Sequence, residues 1–396
     1  MKIVVIGGAG FIGSHTVDKL IEQGHSVRVL DSLEKPVHLR GKPDYLKKEA
    51  EFLLGDLRNK KILEKALEDA EVIYNFAAYQ DYHLDFSKYF SVNNVGTALI
   101  YEIIVEKELP VKKVIIASSQ AVMGEGRYVC PECNKADKYF KKTGSGYEIM
   151  NEGHINTDFI YPDIRREDQL KKGEWDFRCA KCREKLIVVP SDENVVNPQN
   201  QYGLSKYFQE LIALNLGRRY CIPTVCLRYS IVQGARQSFY NAYSGALRIF
   251  SLNLFFGKAP AIFEDGNQIR DYVNIQDVVD ANLLVLAREE ANFQVYNVGG
   301  GKPYTVKKLY EKVAKIFNKN TEPSLSGEYR YGDTRHILSD ISKLKKLGWE
   351  PKVPVEQSIR EYRKYLEQQV NIEDILEYQN KEMRELNIVR RAIEIS

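Results

Sequence analysis

Within its first 31 residues the chain commits to one supersecondary unit. Lys2-Ile3-Val4-Val5-Ile6 is an apolar, β-branched run of the kind that a parallel strand buried on both faces requires. Gly7-Gly8-Ala9-Gly10-Phe11-Ile12-Gly13 follows directly, and Val17, Leu20 and Ile21 then keep helical spacing up to Gly24. A second strand, Ser26 to Leu30, ends in Asp31. In a strand–loop–helix–strand order, Gly7, Gly10 and Gly13 permit the tight turn, the close approach of a pyrophosphate, and contact of helix on strand. The helix N-terminus then faces the phosphates. Phe11 and Ile12 lie in the same loop and count with it as cofactor contacts. A carboxylate at Asp31 can accept both hydroxyls of an adenosine ribose and repels a 2′-phosphate, which favours NAD over NADP. Arg28 and Arg40 stand nearby, yet neither follows Asp31 directly.

Alternation of strand and helix continues through Glu51 to Leu54, a helix around Lys61 to Leu67, and Val72 to Phe76. Gly55-Asp56-Leu57 ends one strand and Asn75-Phe76-Ala77-Ala78 the next; small residues there leave room for a cofactor at the carboxyl edge of an open sheet. Asn93, at the start of an apolar helix, either braces the sheet or touches the cofactor. Val114-Ile115-Ile116-Ala117-Ser118-Ser119 is a further buried strand with two hydroxyls at its end. Such alternation predicts a doubly wound α/β fold.

At 396 residues the chain can bury a large core and is expected to form two lobes. Charged residues make up 28% and nearly balance, for a net charge of +3, so nothing in the composition calls for a nucleic-acid or anionic-membrane partner. No apolar run reaches membrane-spanning length. A strand starting at the second residue leaves no room for a signal peptide, and a cytoplasmic location is the expectation.

Tyr202 and Lys206 are four residues apart, so on a helix they share a face. An ammonium beside the phenol is expected to lower the Tyr pKa toward that of a working general base. Tyr304 and Lys308 make a second pair with the same spacing, but only the first has a dinucleotide site and a matching Ser elsewhere in the chain. Gly7-x-x-Gly10-x-x-Gly13, Ser118-Ser119-x-x-x-x-Gly124 and Tyr202-x-x-x-Lys206 together resemble the extended short-chain dehydrogenase/reductase family of sugar-nucleotide epimerases and dehydratases. The resemblance covers roughly residues 1–365 apart from one insertion. It implies Tyr202 as general base, Lys206 on the nicotinamide ribose and Ser119 on the sugar oxygen. It further implies NAD contacts at Asp31, Asp56, Leu57 and Asn93, and a nucleoside-diphosphate sugar as substrate. Asp265-Gly266-x-x-x-Arg270-Asp271-Tyr272-Val273 and Tyr329-Arg330-Tyr331-Gly332-Asp333 resemble the segments that hold the diphosphate (Arg270, Arg330) and the nucleoside ribose (Asp333). Where the family usually has an Asn that contacts substrate this chain has Ile231, and Met123 replaces a frequent Tyr.

Between Gly124 and Pro190 the alternation stops. Cys130-Pro131-Glu132-Cys133 and Cys179-Ala180-Lys181-Cys182 bracket a polar segment that includes His154 and Trp175. Two Cys-x-x-Cys knuckles suit the two halves of a four-thiolate zinc ribbon; free thiols, disulfides or an iron centre are the alternatives. A zinc ribbon could also bind nucleic acid, but no basic stripe supports that.

The expected architecture is a doubly wound parallel-sheet Rossmann domain (1–125, continued by 190–230 and 271–290) with a smaller α/β substrate lobe (231–270 and 291–365). The zinc-ribbon insertion spans 126–189, and a helical extension, 366–396, docks on its own body or on a second copy; a homodimer is expected. The resemblance implies NAD-dependent C4 epimerisation, and it is nearest to dTDP-L-rhamnose 4-epimerase-type enzymes. These share the Val29-Leu30-Asp31 opening, a Gly124-Glu125-Gly126-x-Tyr128 start to a Cys-bearing insertion, and Asp333-Thr334-Arg335-His336. UDP-hexose epimerisation, dehydration and a non-catalytic NAD(H) sensor are the alternatives. Gln120 and Ala121 after Ser119 cannot supply the acid that a dehydratase needs there.

Overall fold

The computed structural model describes residues 1–133, 140–143, 146–149, 159–240 and 245–393, with the side chains of 134–158 and 379 left aside. His154 lies outside the described residues. Seven parallel strands form the main sheet: β1 (Lys2–Ile6), β2 (Ser26–Asp31), β3 (Glu51–Leu54), β4 (Val72–Asn75), β5 (Lys113–Ser119), β6 (Thr224–Tyr229) and β7 (Gln294–Val298). Their order is β7-β6-β5-β4-β1-β2-β3. The register runs Lys2 against Ser26, Ile3 against Val72, and Thr224 against Val114.

Strand β1 shows why its run is apolar throughout. Alternate side chains point to opposite faces. Ile3 and Val5 pack with Val17 and Leu20 of α1 (Phe11–Glu22) and with Val278 and Ala281 of α5 (Ile275–Ala287). Val4 and Ile6 pack on the other face with Leu63 of α2 (Lys60–Leu67), Ile100 and Ile104 of α3 (Gly96–Glu106), and Ala213 of α4 (Gln201–Arg219). The strand order reverses between β1 and β4, which opens a crevice at the carboxyl edge of the sheet.

A second lobe carries its own core. Leu247 and Phe250 of the helix Ala246–Phe255, Leu309 and Val313 of Val306–Phe317, and Ile359 and Tyr362 of Val355–Glu367 pack together. A small sheet of Ile231–Gln233, Ile269–Asn274 and Pro303–Thr305 lies beside them. One boundary differs from expectation: Gln294–Val298 falls in the stretch assigned to this lobe, yet it pairs with β6 at the edge of the main sheet, Val225 against Gln294. Its Tyr296 and Val298 are buried in the large core, which outweighs its neighbourhood in sequence.

The insertion leaves the sheet after β5. Arg127–Val129 runs antiparallel to Ile187–Val189, and Tyr128 also bridges to Ile160. The final stretch is not wholly helical. After the helix Leu376–Glu385, residues Val389–Arg391 pair antiparallel with Glu328–Arg330. Among the described residues no helix is long and apolar enough to cross a membrane.

Candidate active site

Tyr202 and Lys206 occupy the first two turns of α4. That helix starts at Gln201 because Asn200 caps it, its side chain accepting from Gly203 N at 2.8 Å. A Cβ at Gly203 would stand 2.5 Å from Ala121 O, so only glycine lets the helix end sit this close to the residues after β5. The close approach brings Ser119 beside Tyr202, where its hydroxyl acts to lower the phenol's pKa. Lys206 is 1% exposed; its Nζ donates to Ala117 O at 2.7 Å and Gln209 Oε1 at 2.9 Å.

The electrostatics differ from the sequence expectation. Burial pushes the Tyr202 phenol up to about 12, partly opposed by Ser119. Burial also pulls Lys206 down to about 7, against the charge of Glu210. The Lys206 ammonium lies 6.0 Å from the Tyr202 ring centroid and is turned to Ala117 and Gln209, too far off to offset desolvation of the phenol. Beneath it lies a network that the sequence reading missed. Glu210 accepts from Arg228 Nε and Nη2, both at 2.8 Å, and from Ser118 Oγ. The only sequence signal was the carboxylate four residues after Lys206.

At the crevice, the glycine loop has the shape that a pyrophosphate needs. Gly7 has φ +77°, and a Cβ there would meet Ala77 N at 2.6 Å; one on Gly13 would meet Gly7 O at 2.2 Å. Asp31 accepts from Ala9 N at 3.0 Å and Leu33 N at 2.9 Å, which fixes its carboxylate beside the loop and leaves lone pairs for ribose hydroxyls. Gly10, Phe11, Ile12, Phe76 and Ala77 are half-buried around the crevice, and Ala78 is exposed. Leu57 is buried against Gly96, while Asp56 is turned to Arg58, with Oδ1 3.0 Å from Nε. These residues fit a bound dinucleotide. Asn93 lies deeper. It is fully buried in a π-helical turn, Ser91–Val95, where its amide bonds Tyr79 N at 2.9 Å, Tyr79 O at 3.3 Å and Ser205 Oγ at 2.9 Å. These three bonds brace the loop after β4 against α4 and leave one lone pair of Oδ1 open.

Arg270, Arg330 and Asp333 come together on the second lobe. Arg270 donates to Thr334 O at 2.8 Å and Arg335 O at 2.9 Å. The Arg330 guanidinium lies 5.0 Å from the Phe263 ring and 3.9 Å from Asp333. Of the two apolar replacements, only Ile231 is partly exposed. Met123 is wholly buried with Val195 and Ile337, so it fills a core and offers no wall to a sugar.

The family model described as NAD dependent epimerase/dehydratase matches residues 3–150 and 183–299. The chain belongs to this family. It is similar to dTDP-L-rhamnose 4-epimerase of Burkholderia thailandensis, with 30% identity over 93% of this chain and 96% of that protein. It is also similar to UDP-glucose 4-epimerase of Pisum sativum, at 27% identity over 91% and 94%. Among solved structures, UDP-glucose 4-epimerase of Thermotoga maritima with UDP-glucose matches with a TM-score of 0.70 at 28% identity, covering 93% of this chain and 99% of that one.

The gap between the two matched stretches of this epimerase/dehydratase chain, 151–182, falls inside the cysteine-bearing insertion. There, one sulfur each from Cys130, Cys133, Cys179 and Cys182 gather within 4.8 Å of one another. Cys130 and Cys182 are 3.4 Å apart, Cys133 and Cys179 3.7 Å, and none forms a disulfide. Backbone N–H groups of Cys182 and Lys181 hold the Cys179 thiol below its ordinary range.

A buried ionic cluster, also unforeseen, fastens this insertion to the second lobe. Arg335, 0% exposed, reaches Asp176 at 2.8 Å, Glu264 at 2.8 Å and Asp265 at 2.7 Å. Arg165 pairs with Glu264 at 2.8 Å and donates to Asp333 O at 2.8 Å. Glu125, whose carboxyl burial pushes up to about 7, accepts from Arg335 N.

Proposed function

We propose that this protein epimerises a nucleoside-diphosphate sugar at C4, with NAD held at the glycine loop and regenerated in each turnover. The observation that carries the reading is the meeting of Ser119, Tyr202 and Lys206 at the carboxyl edge of β5, across the crevice from Gly7, Gly13 and Asp31. Tyr202 would take the proton of the 4-hydroxyl, with Ser119 orienting that oxygen and Lys206 holding the nicotinamide ribose. Bound NAD would supply the acceptor and donor of hydride at the sugar carbon, and a positive ring beside the phenol. A phenol pushed up to about 12 holds its proton at neutral pH, so it becomes a base only when positive charge gathers beside it. Base strength would thereby be tied to a loaded site. Asp31 would select NAD over NADP, and Arg270, Arg330 and Asp333 would hold the diphosphate and ribose.

For the sugar we infer a dTDP-6-deoxyhexose such as dTDP-L-rhamnose. Similarity to the Burkholderia enzyme supports this, as does Ile231, which presents an alkyl group where an amide would otherwise bond a hydroxyl. Likeness to UDP-glucose 4-epimerases makes UDP-hexose the second reading. Side-by-side initial rates, read by NMR of the sugar ring, decide between them: faster conversion of UDP-glucose or UDP-galactose than of dTDP-L-rhamnose would overturn the first.

The four thiolates would hold one structural zinc, making residues 126–189 a zinc ribbon beside a Rossmann domain and a substrate lobe. A homodimer would use α3 and α4, where Val105, Leu204, Phe208 and Leu211 leave apolar side chains exposed. Light scattering at several concentrations tests it.

A further inference from the structure

Two neutral carbonyls meet the buried end of Lys206. Its Nζ donates to Ala117 O of β5 at 2.7 Å and to Oε1 of Gln209 at 2.9 Å. Gln209 follows three residues later on α4 and is fully buried. Glu210, the nearest acid in the helix, is occupied elsewhere: its oxygens take Arg228 Nε and Nη2 and Ser118 Oγ. The Gln209 amide stands one way round for a reason. Its Nε2 donates to Thr97 Oγ1 of α3 at 2.9 Å, and the Thr97 hydroxyl gives its one hydrogen to Asn93 O at 2.7 Å. Asn75 Nδ2 donates to the same Thr97 oxygen at 3.1 Å. Thr97 therefore accepts from Gln209, which turns the carbonyl end of the amide to Lys206. Reversed, the amide would set N–H against N–H at both ends.

Counting donors gives this amide a role. A lysine ammonium has three N–H groups, and the neutral amine two. With Ala117 and Gln209 taking two, only the ammonium keeps a donor for a cofactor oxygen. Burial works against that form and pulls Lys206 down to about 7, and a carbonyl bonded to the charged form opposes the pull. We propose that Gln209 is a positioning residue for Lys206, keeping it an ammonium with one N–H free for the nicotinamide ribose. The proposal rests on the cofactor reading above, in which Lys206 holds that ribose. Other groups also act on the lysine. Glu210 on α4 and Cys226 on β6 both oppose the effect of burial. Arg228, also on β6, is held by Glu210. Tyr202 shares the helix face, with Tyr89 acting on it in turn. From α3, Tyr101 is turned to Thr224 at 2.8 Å, and β5 presents only Ala117 and Ser118.

The test uses the full-length protein and two variants, Gln209→Met and Gln209→Glu. Both lose the donor to Thr97, so a merely structural loss strikes them alike. They differ at Lys206, where Met removes the acceptor and Glu replaces it with a carboxylate. Affinity for NADH is titrated by fluorescence from about pH 6 to about pH 9.5, across the range where Lys206 should change charge. ADP, which lacks the nicotinamide ribose, is titrated by calorimetry as the control. A contact made by the protonated form is lost as pH rises through its value. NADH affinity of the unmodified protein should therefore be level at low pH and then fall, while ADP affinity stays level. Gln209→Met should move the fall to lower pH by about one unit, and Gln209→Glu to higher pH by about as much; each is roughly tenfold in affinity on the falling limb. A limb that moves the same way in both variants, or in neither, overturns the proposal. An equal loss of ADP affinity does so too, since it makes Gln209 a brace of the fold. Level NADH affinity in the unmodified protein overturns it without any variant. Should Gln209→Met fail to fold, the upward shift in Gln209→Glu decides alone, and failure of both to fold makes Gln209 a brace. If the limbs move as expected but no sugar nucleotide is turned over, the proposed reaction fails and the role of Gln209 stands.

Discussion

Replacing Arg335 by Met tests whether the buried ionic cluster truly clamps the insertion to the second lobe. The side chain is 0% exposed and reaches three carboxylates, so its loss leaves them facing one another. Removing one partner of a buried pair costs about 3–5 kcal/mol. Two of the three carboxylates keep a second cation: Glu264 keeps Arg165 at 2.8 Å, and Asp176 keeps Lys185 at 2.6 Å. The lower part of that range, roughly 3–4 kcal/mol, is therefore expected. For 396 residues unfolding together, an entropy of about 2.1 cal/mol/K per residue makes this roughly 4–5 °C in Tm. The loss should depend on pH. Burial alone would raise the Asp176 carboxyl, but its hydrogen bond with His336 and the charge of Arg335 outweigh it and hold it well below the usual range. A depressed carboxyl contributes stability above the unfolded value, about 4, and loses it as pH falls toward the folded one. The gap between unmodified protein and variant should thus be widest near neutrality and narrow below about pH 4. Calorimetry at pH 7 and at about pH 2.5, below the unfolded carboxyl value, reads both. A gap under about 1 kcal/mol at neutrality would show that the cluster does not hold the lobes together. An equal gap at both values would show that packing, rather than charge, is what was lost.

Tyr202→Phe should leave NAD binding near normal and lower kcat by several powers of ten, whereas Tyr304→Phe should change neither; equal damage from both would move the base elsewhere. Asp31→Ala should narrow the preference of the protein for NAD over NADP, measured by titration of each cofactor. Gly13→Ala should cost NAD affinity through a Cβ that would lie 2.2 Å from Gly7 O, with folding checked by circular dichroism. Metal analysis should return one zinc per chain with Zn–S near 2.3 Å by X-ray absorption. Cys130→Ser should release the zinc while the sheet stays folded.

The sheet was legible because its signals are local. Lys2 to Ile6 needs no context to read as a buried strand, and the glycines of the first loop announce a turn whose geometry follows from backbone sterics. The spacing of Tyr202 and Lys206 likewise predicted a shared helix face. The strength of the phenol as an acid was not legible, because it depends on how far burial outweighs an ammonium 6.0 Å away. Asn93 was ambiguous for a related reason: only the fold shows that its amide bonds Tyr79 and Ser205. The ionic cluster joins Glu125, Arg165, Asp176, Glu264 and Arg335, residues spread over more than two hundred positions, and no periodicity connects them.

The pairing of Val389–Arg391 with Glu328–Arg330 sets an order of events during synthesis. Arg330 sits on a ribbon whose other strand is made some sixty residues later, opposite Val389. A nascent chain that has already threaded β1 to β7 into a complete sheet still lacks that second strand. With Arg330 on the substrate as proposed, affinity for the sugar nucleotide should arrive after affinity for the dinucleotide as the chain emerges from the ribosome. A translation product stalled before residue 389 would be a cofactor-loaded protein with an unfinished mouth.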